Sequence, residues 1–161
     1  MVAILRDGVE YESLEAIPET ELRAEAAAAV EVILDATPFY AEGGGQIGDQ
    51  GVLRAAEGGP VLVAVEDTQR PVSGLIVHRG TLRGALRVGE TIRAEVDAVR
   101  RERTMRNHTG THLLHRALRN VVGESARQAG SLVTPDYLRF DFPLDRALTA
   151  EELRAIELEV R

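Results

Sequence analysis

Residues 1–97 carry short apolar runs separated by glycine-rich turns. Residues 2–5 form one such run, stopped by the turn signal Asp7-Gly8, and residues 9–14 are placed to return as its hairpin partner. Residues 24–29 are alanine-rich, which favours helix, but residues 30–34 are β-branched and half-alternating, and we read a strand ending near Asp35. Residues 37–51 include Pro38 and the run Gly43-Gly44-Gly45 and read as irregular chain. Residues 52–55 and 61–65 flank Glu57-Gly58-Gly59-Pro60 as strand, turn, strand, and residues 75–78 make a further short strand. Ile92, Ala94 and Val96 alternate with Arg93 and Glu95, the period of a half-buried strand. Many short strands joined by glycine turns predict a small β-barrel.

The period then changes. Residues 98–122 contain no proline and a single glycine, Gly110, and Leu114, Ala117, Leu118, Val121 and Val122 recur at helical spacing. This predicts one long helix, ended by Gly123. Residues 132–133 and 137–142 read as two strands around Thr134-Pro135-Asp136, with Leu138, Phe140 and Phe142 on one side of the second. Thr149 followed by Glu152 is a capping-box pattern opening a last helix, with Leu153, Ile156 and Val160 as its apolar stripe. That helix carries no C-terminal signal, so residue 161 reads as a cut within a longer protein. The fold class expected is α+β: a β-barrel domain over residues 1–97, then residues 98–161 as the beginning of a second domain.

Composition sharpens this. The net charge is −7, yet residues 1–78 hold 4 arginines against 14 acids, and residues 79–161 hold 15 arginines against 12. An acidic chain thus has a basic middle, which admits a phosphate-bearing partner there. Every basic residue is arginine, a compositional bias and not the demand of one site. There is no cysteine, hence no disulfide framework and no thiolate metal site within the chain. No apolar run approaches the ~18 residues needed to cross a bilayer, and residues 1–6 are too short for a signal peptide. A cytoplasmic protein without a membrane partner is the expectation.

Two stretches carry candidate chemistry. In Asn107-His108-Thr109-Gly110-Thr111-His112, the histidines stand four apart on the predicted helix, so both imidazoles leave one face and can reach one zinc ion at about 2.0–2.1 Å. The residue after His108 is Thr109, so the glutamate base of a His-Glu-x-x-His protease is missing. His115 and His78 are the remaining histidines, and neither is convincingly placed as a third ligand. The alternative is an ordinary polar helix face. Gly110 weakens the helix by about 1 kcal/mol relative to alanine, which points to a ligand or another backbone approaching closely. The second stretch, residues 37–51, has five glycines in the nine positions from Gly43 to Gly51. It is neither a Walker loop nor a dinucleotide fingerprint. It reads either as a turn-rich connector or as a loop whose Thr37, Glu42 and Gln46 line a small polar pocket.

Taken together, these stretches resemble one family. Residues 35–51, from Asp35-Ala36-Thr37-Pro38-Phe39 through Gly43-Gly44-Gly45-Gln46 to Gly51, are similar to the glycine motif of alanyl-tRNA synthetases. Residues 107–115 resemble the first zinc half-motif of their editing domain. Val65-Glu66-Asp67-Thr68-Gln69, Gly130-Ser131-Leu132-Val133 and Leu138-Arg139-Phe140-Asp141-Phe142 also match, in the family's order.

The resemblance implies a translation-factor-like barrel followed by the start of the α/β editing domain, which is shared with threonyl-tRNA synthetases and free-standing alanyl-tRNA deacylases. That domain hydrolyses tRNA(Ala) mischarged with serine or glycine. His108 and His112 would be two of four Zn2+ ligands, the family's other two coming from a later Cys-x-x-x-His motif that this chain lacks. The chain would then hold a zinc half-site, with weak or no metal binding and little deacylase activity alone. Thr37 and Gln46 are the catalytic candidates, for sensing the serine hydroxyl or positioning water. Arg100, Arg101, Arg103 and Arg106 are candidates for the tRNA acceptor end. ATP and Mg2+ would serve only the aminoacylation domain, which joins alanine to the tRNA. A segment of a stand-alone alanyl-tRNA deacylase and a non-catalytic RNA-binding module are the competing readings.

Overall fold

A computed structural model describes residues 1–15 and 29–161. The alanine-rich stretch at 24–28 lies outside the described residues. The chain divides into two compact units: residues 1–43 with 48–98, and residues 44–47 with 99–161. Four residues of the glycine loop therefore belong with the second unit, although their sequence position puts them among the first unit's strands.

In the first unit, β1 (Ala3–Arg6) and β2 (Val9–Tyr11) form the expected hairpin, with Ile4 opposite Tyr11. Asp7 and Gly8 both have positive φ, 54° and 75°, the geometry that lets a two-residue turn follow the strand twist. β4 (Ala29–Ile33), β5 (Gly51–Ala55), β6 (Val61–Val72), β7 (Leu75–Leu82) and β9 (Ile92–Val96) extend this hairpin into one antiparallel sheet, ordered β2-β1-β4-β7-β6-β5-β9. A separate pair joins β3 (Ser13–Leu14) to β8 (Leu86–Arg87). Among the described residues no pairing closes β2 onto β9. Even so, Ile4, Leu14, Val32, Leu53, Val63 and Leu86 meet in one buried cluster, so strands from both ends of the sheet share a core. Each such side chain contributes roughly 1.5–3 kcal/mol by leaving water. β6 runs well beyond residue 65: Glu66, Gln69 and Arg70 break its apolar pattern, but pairing with β7 continues to Val72 opposite Leu75.

In the second unit, α1 (Ala98–Val122) has the expected limits, and Gly123, at φ 102°, caps it by donating to the Arg119 carbonyl. Ala117 and Leu118 are buried, with Leu114, Val121 and Val122 packed around them. β10 (Gly130–Val133) and β11 (Leu138–Asp141) form an antiparallel hairpin that brings Phe140 against this stripe. α2 (Ala150–Val160) starts on a full capping box: the Thr149 hydroxyl accepts from the Glu152 amide, and the Glu152 carboxylate accepts from the Thr149 amide. Arg146 grips the same carboxylate through both of its terminal nitrogens and, with the cap, holds it at a pKa of about 2. The stripe of α1 takes up Ile156 and Val160, whereas Leu153 remains 53% exposed. The described residues thus form an antiparallel sheet, a long helix, a hairpin and a final helix, the α+β class expected. No helix among them is long and apolar enough to cross a membrane.

Candidate functional site

In the second unit, α1 presents His108 and His112 one turn apart, with ring centroids separated by 5.0 Å and ring planes inclined by 46°. His108 is half-buried and His112 is exposed. A small cavity of about 40 Å³ is lined by His108, His112, His115, Gly44, Ser131 and Phe140, among others. That volume suits an ion or a few waters and is far below the roughly 300–1,000 Å³ of ligand pockets. His115 stacks on Phe140 at 4.8 Å, which ties it to the hydrophobic side of the helix. Among the described residues no group of three or more His, Cys, Asp or Glu is placed to hold a metal. The pair by itself offers two imidazole nitrogens one helical turn apart.

Backbone pairing fixes the ground under these rings. Residues 45–47 run beside β10 as one extra rung: Val133 N donates to the Gly45 carbonyl at 2.7 Å, and Ile47 N donates to the Val133 carbonyl at 3.2 Å. Gly45 lies at φ +83°, and a Cβ there would overlap Ser131, so this crossing needs glycine. The rung carries Gln46, 6% exposed, to His108: Gln46 Oε1 lies 2.7 Å from His108 Nδ1. Asn107 Nδ2 donates to the Thr134 carbonyl at 2.8 Å and ties α1 to the β10–β11 turn. A Cβ on Gly110 would sit 3.1 Å from Leu138 Cδ2, so that side chain would have to give way slightly. The neighbour found there is a side chain of β11, where a ligand or another backbone was expected.

Thr37 lies in the first unit, where its Oγ1 is 2.7 Å from His78 Nε2. His78 is fully buried, and its Nδ1 is 2.9 Å from the Val32 carbonyl. A carbonyl only accepts, so Nδ1 carries the proton, Nε2 accepts, and Thr37 donates. Burial pushes the His78 pKa below 6.5, against a smaller upward pull from the Val32 carbonyl. The Thr37 oxygen also accepts from Phe39 N at 3.2 Å, and the Phe39 ring meets His78 edge-on at 5.1 Å. Asp49, 6% exposed, is clasped by Tyr40 N at 2.6 Å, while its carbonyl accepts from the Thr68 hydroxyl at 2.9 Å. Glu42 accepts from Gln69 Nε2 at 2.7 Å. The first part of the glycine loop is thus a pinned connector.

Sequence reading pairs the two histidines but weighs His78 only as a metal ligand, and it misses both His78 as the partner of Thr37 and Gln46 as the partner of His108. These pairs are 41 and 62 residues apart, beyond any local pattern. Of the arginines, Arg103 and Arg106 are exposed on α1, whereas Arg100 and Arg101 are half-buried.

A model of the family "tRNA synthetases class II (A)" matches residues 9–100, more than half of the chain. The chain belongs to the class II (A) tRNA synthetase family. Its curated relatives include the alanine–tRNA ligase of Roseiflexus castenholzii, 59% identical over 132 residues, which covers 81% of this chain and 14% of the relative. That of Chloroflexus aurantiacus is 57% identical over 129 residues, 80% of this chain and 14% of the relative. That of Sorangium cellulosum is 51% identical over 160 residues, 98% of this chain and 17% of the relative. The resemblance to alanyl-tRNA synthetases drawn from the two motifs is therefore borne out. The chain spans only 14 to 17% of the length of these relatives.

Proposed function

We propose that this chain is a segment of an alanyl-tRNA synthetase leading into its editing region, where tRNA(Ala) mischarged with serine or glycine is hydrolysed. The observation that carries the reading is the imidazole pair on α1, with its first ring held by the glycine loop. It occurs in a chain 51% to 59% identical to alanine–tRNA ligases. In this reading His108 and His112 supply two of four Zn2+ ligands. The donor set fits: two nitrogen donors stand one turn apart beside a cavity of ion size. The remaining ligands come from outside the described residues, and the chain alone binds zinc weakly and deacylates little. When bound, zinc polarises an ester carbonyl or lowers the pKa of a water.

The chain's own residues do the holding. Thr37 already donates to His78 and accepts from Phe39 N, so its one spare lone pair suits a donor such as the serine hydroxyl. Alanine has no such donor, and a hydroxyl-seeking site rejects the analogue that lacks one. Gln46, with its carboxamide oxygen taken up by His108, belongs with the imidazole pair of the second unit. Arg103 and Arg106, with Arg100 and Arg101 beside them, are assigned to the phosphates of the tRNA acceptor end. Aminoacylation, with ATP, Mg2+ and alanine, is proposed for the whole protein, acting in the cytoplasm.

Serine release from Ser-tRNA(Ala) by the whole synthetase tests this. His108→Ala should slow it at least about 100-fold, since loss of an outer-shell partner alone costs 10–100-fold at metal sites. Alanine charging should continue. Undiminished hydrolysis in that variant would remove the metal role from α1.

A further inference from the structure

The contact between Gln46 and His108 assigns a role to Gln46 that differs from catalysis. A carboxamide oxygen can only accept a hydrogen bond, so with Gln46 Oε1 facing it at 2.7 Å, His108 Nδ1 carries the proton in this orientation of the carboxamide. The proton on a neutral imidazole then leaves Nε2 with a free lone pair. Among the described residues, Nε2 has no hydrogen-bond partner. His112 makes no hydrogen bond among them either, so only one ring of the pair is oriented from behind.

The placement is built into the backbone. Gln46 is 6% exposed and sits in the middle of the rung that Gly45 and Ile47 make with Val133. Its main chain cannot slide without breaking those two bonds. Gly45 permits the crossing over Ser131 that no residue with a Cβ would make at φ +83°. A glycine loop 62 residues away in sequence thus selects the protonation of a helix residue.

We infer that Gln46 is a positioning residue: it fixes His108 as the Nδ1–H tautomer and thereby presents Nε2 as the metal-binding nitrogen. Metal-ligating histidines are commonly held this way, and losing the outer partner costs about 10–100-fold in affinity. The alternative is the reversed carboxamide, with the side-chain nitrogen donating to Nδ1. That arrangement leaves Nε2 protonated and closed to a metal. The two orientations therefore predict opposite tautomers.

The inference rests on the zinc reading for its purpose, but its test does not. Long-range ¹H–¹⁵N correlation spectra of the labelled 161-residue chain report which ring nitrogen of His108 carries the proton, with no metal present. The wild type should show Nδ1–H. Gln46→Leu should move His108 toward the Nε2–H form that free imidazole favours, Gln46→Glu should retain Nδ1–H, and His112→Ala should leave His108 unchanged. An Nε2–H tautomer in the wild type, or an Nδ1–H tautomer that survives in folded Gln46→Leu, would overturn the inference. Zinc affinity by chelator competition on the whole synthetase forms the second arm. Gln46→Leu should weaken binding about 10–100-fold, with Gln46→Glu close to wild type. Equal affinities for Gln46→Leu and wild type would also overturn it. If wild type binds no zinc while His108 is Nδ1–H and depends on Gln46, the metal reading fails and the positioning role stands.

Discussion

His78 has both ring nitrogens occupied, Nδ1 by the Val32 carbonyl and Nε2 by the Thr37 hydroxyl, and no exposed surface. Protonation would strip Nε2 of its lone pair and put an uncompensated charge in a site closed to water, which is why burial lowers its pKa below 6.5. The unfolded chain takes up the proton near the ordinary value, and the folded protein resists it. The stability tied to neutral His78 is therefore whole above pH 6.5 and is lost as the pH falls below it, at up to about 1.4 kcal/mol per pH unit. Urea unfolding at pH 7.5 and 5.5 should show the wild type losing on the order of 1 kcal/mol. His78→Leu should be less stable at pH 7.5, with a smaller drop between the two. An identical drop in both proteins would place the proton uptake elsewhere. The same arrangement makes Thr37 a donor to His78 and an acceptor from Phe39 N, so its hydroxyl has a defined polarity.

Elements set by local rules were legible in advance, and those set by distant partners were not. The limits of α1 follow from its apolar spacing and from Gly123, the start of α2 from Thr149 and Glu152, and the first hairpin from Asp7-Gly8. The far half of β6 was hidden because Glu66, Gln69 and Arg70 look outward while the backbone goes on pairing with β7. The histidine pair was visible as a spacing. Its connection to the glycine loop was not, because a rung between Gln46 and Val133 leaves no local signature. The glycine run in that loop is not uniform in purpose. Gly44, at φ +60°, has open space where a Cβ would go, whereas a Cβ on Gly45 would overlap the backbone and hydroxyl of Ser131. Gly44→Ala should cost only the left-handed backbone penalty, about 1–2 kcal/mol. Gly45→Ala should exceed that, because the 45–47 rung must part from β10, and it should also release Gln46 from His108. Chemical denaturation of the two variants would show this difference, and equal losses would mean that the rung contributes nothing to the second unit.

At the scale of the whole molecule, the total charge misleads. The −7 combines an acidic stretch, 4 arginines against 14 acids over residues 1–78, with a segment rich in arginine. The acids nearest the helix arginines are few, and Arg103 and Arg106 are exposed on α1 within five residues of His108. A nucleic-acid backbone responds to such local charge and not to the net, because each phosphate neutralised releases counterions. If these arginines meet the acceptor end of tRNA(Ala), the signature is a salt slope and not only an affinity. In the whole synthetase, Arg103→Ala and Arg106→Ala should each weaken tRNA binding and lower the slope of log K against log salt by about one. The double substitution should lower it by about two, with the His108 site and its metal content intact. The effect should appear equally with charged and uncharged tRNA, since phosphate contacts carry no information about the amino acid. A loss of affinity with an unchanged slope would mean that the substitutions act through the packing of α1, and the tRNA assignment of its basic face would fall.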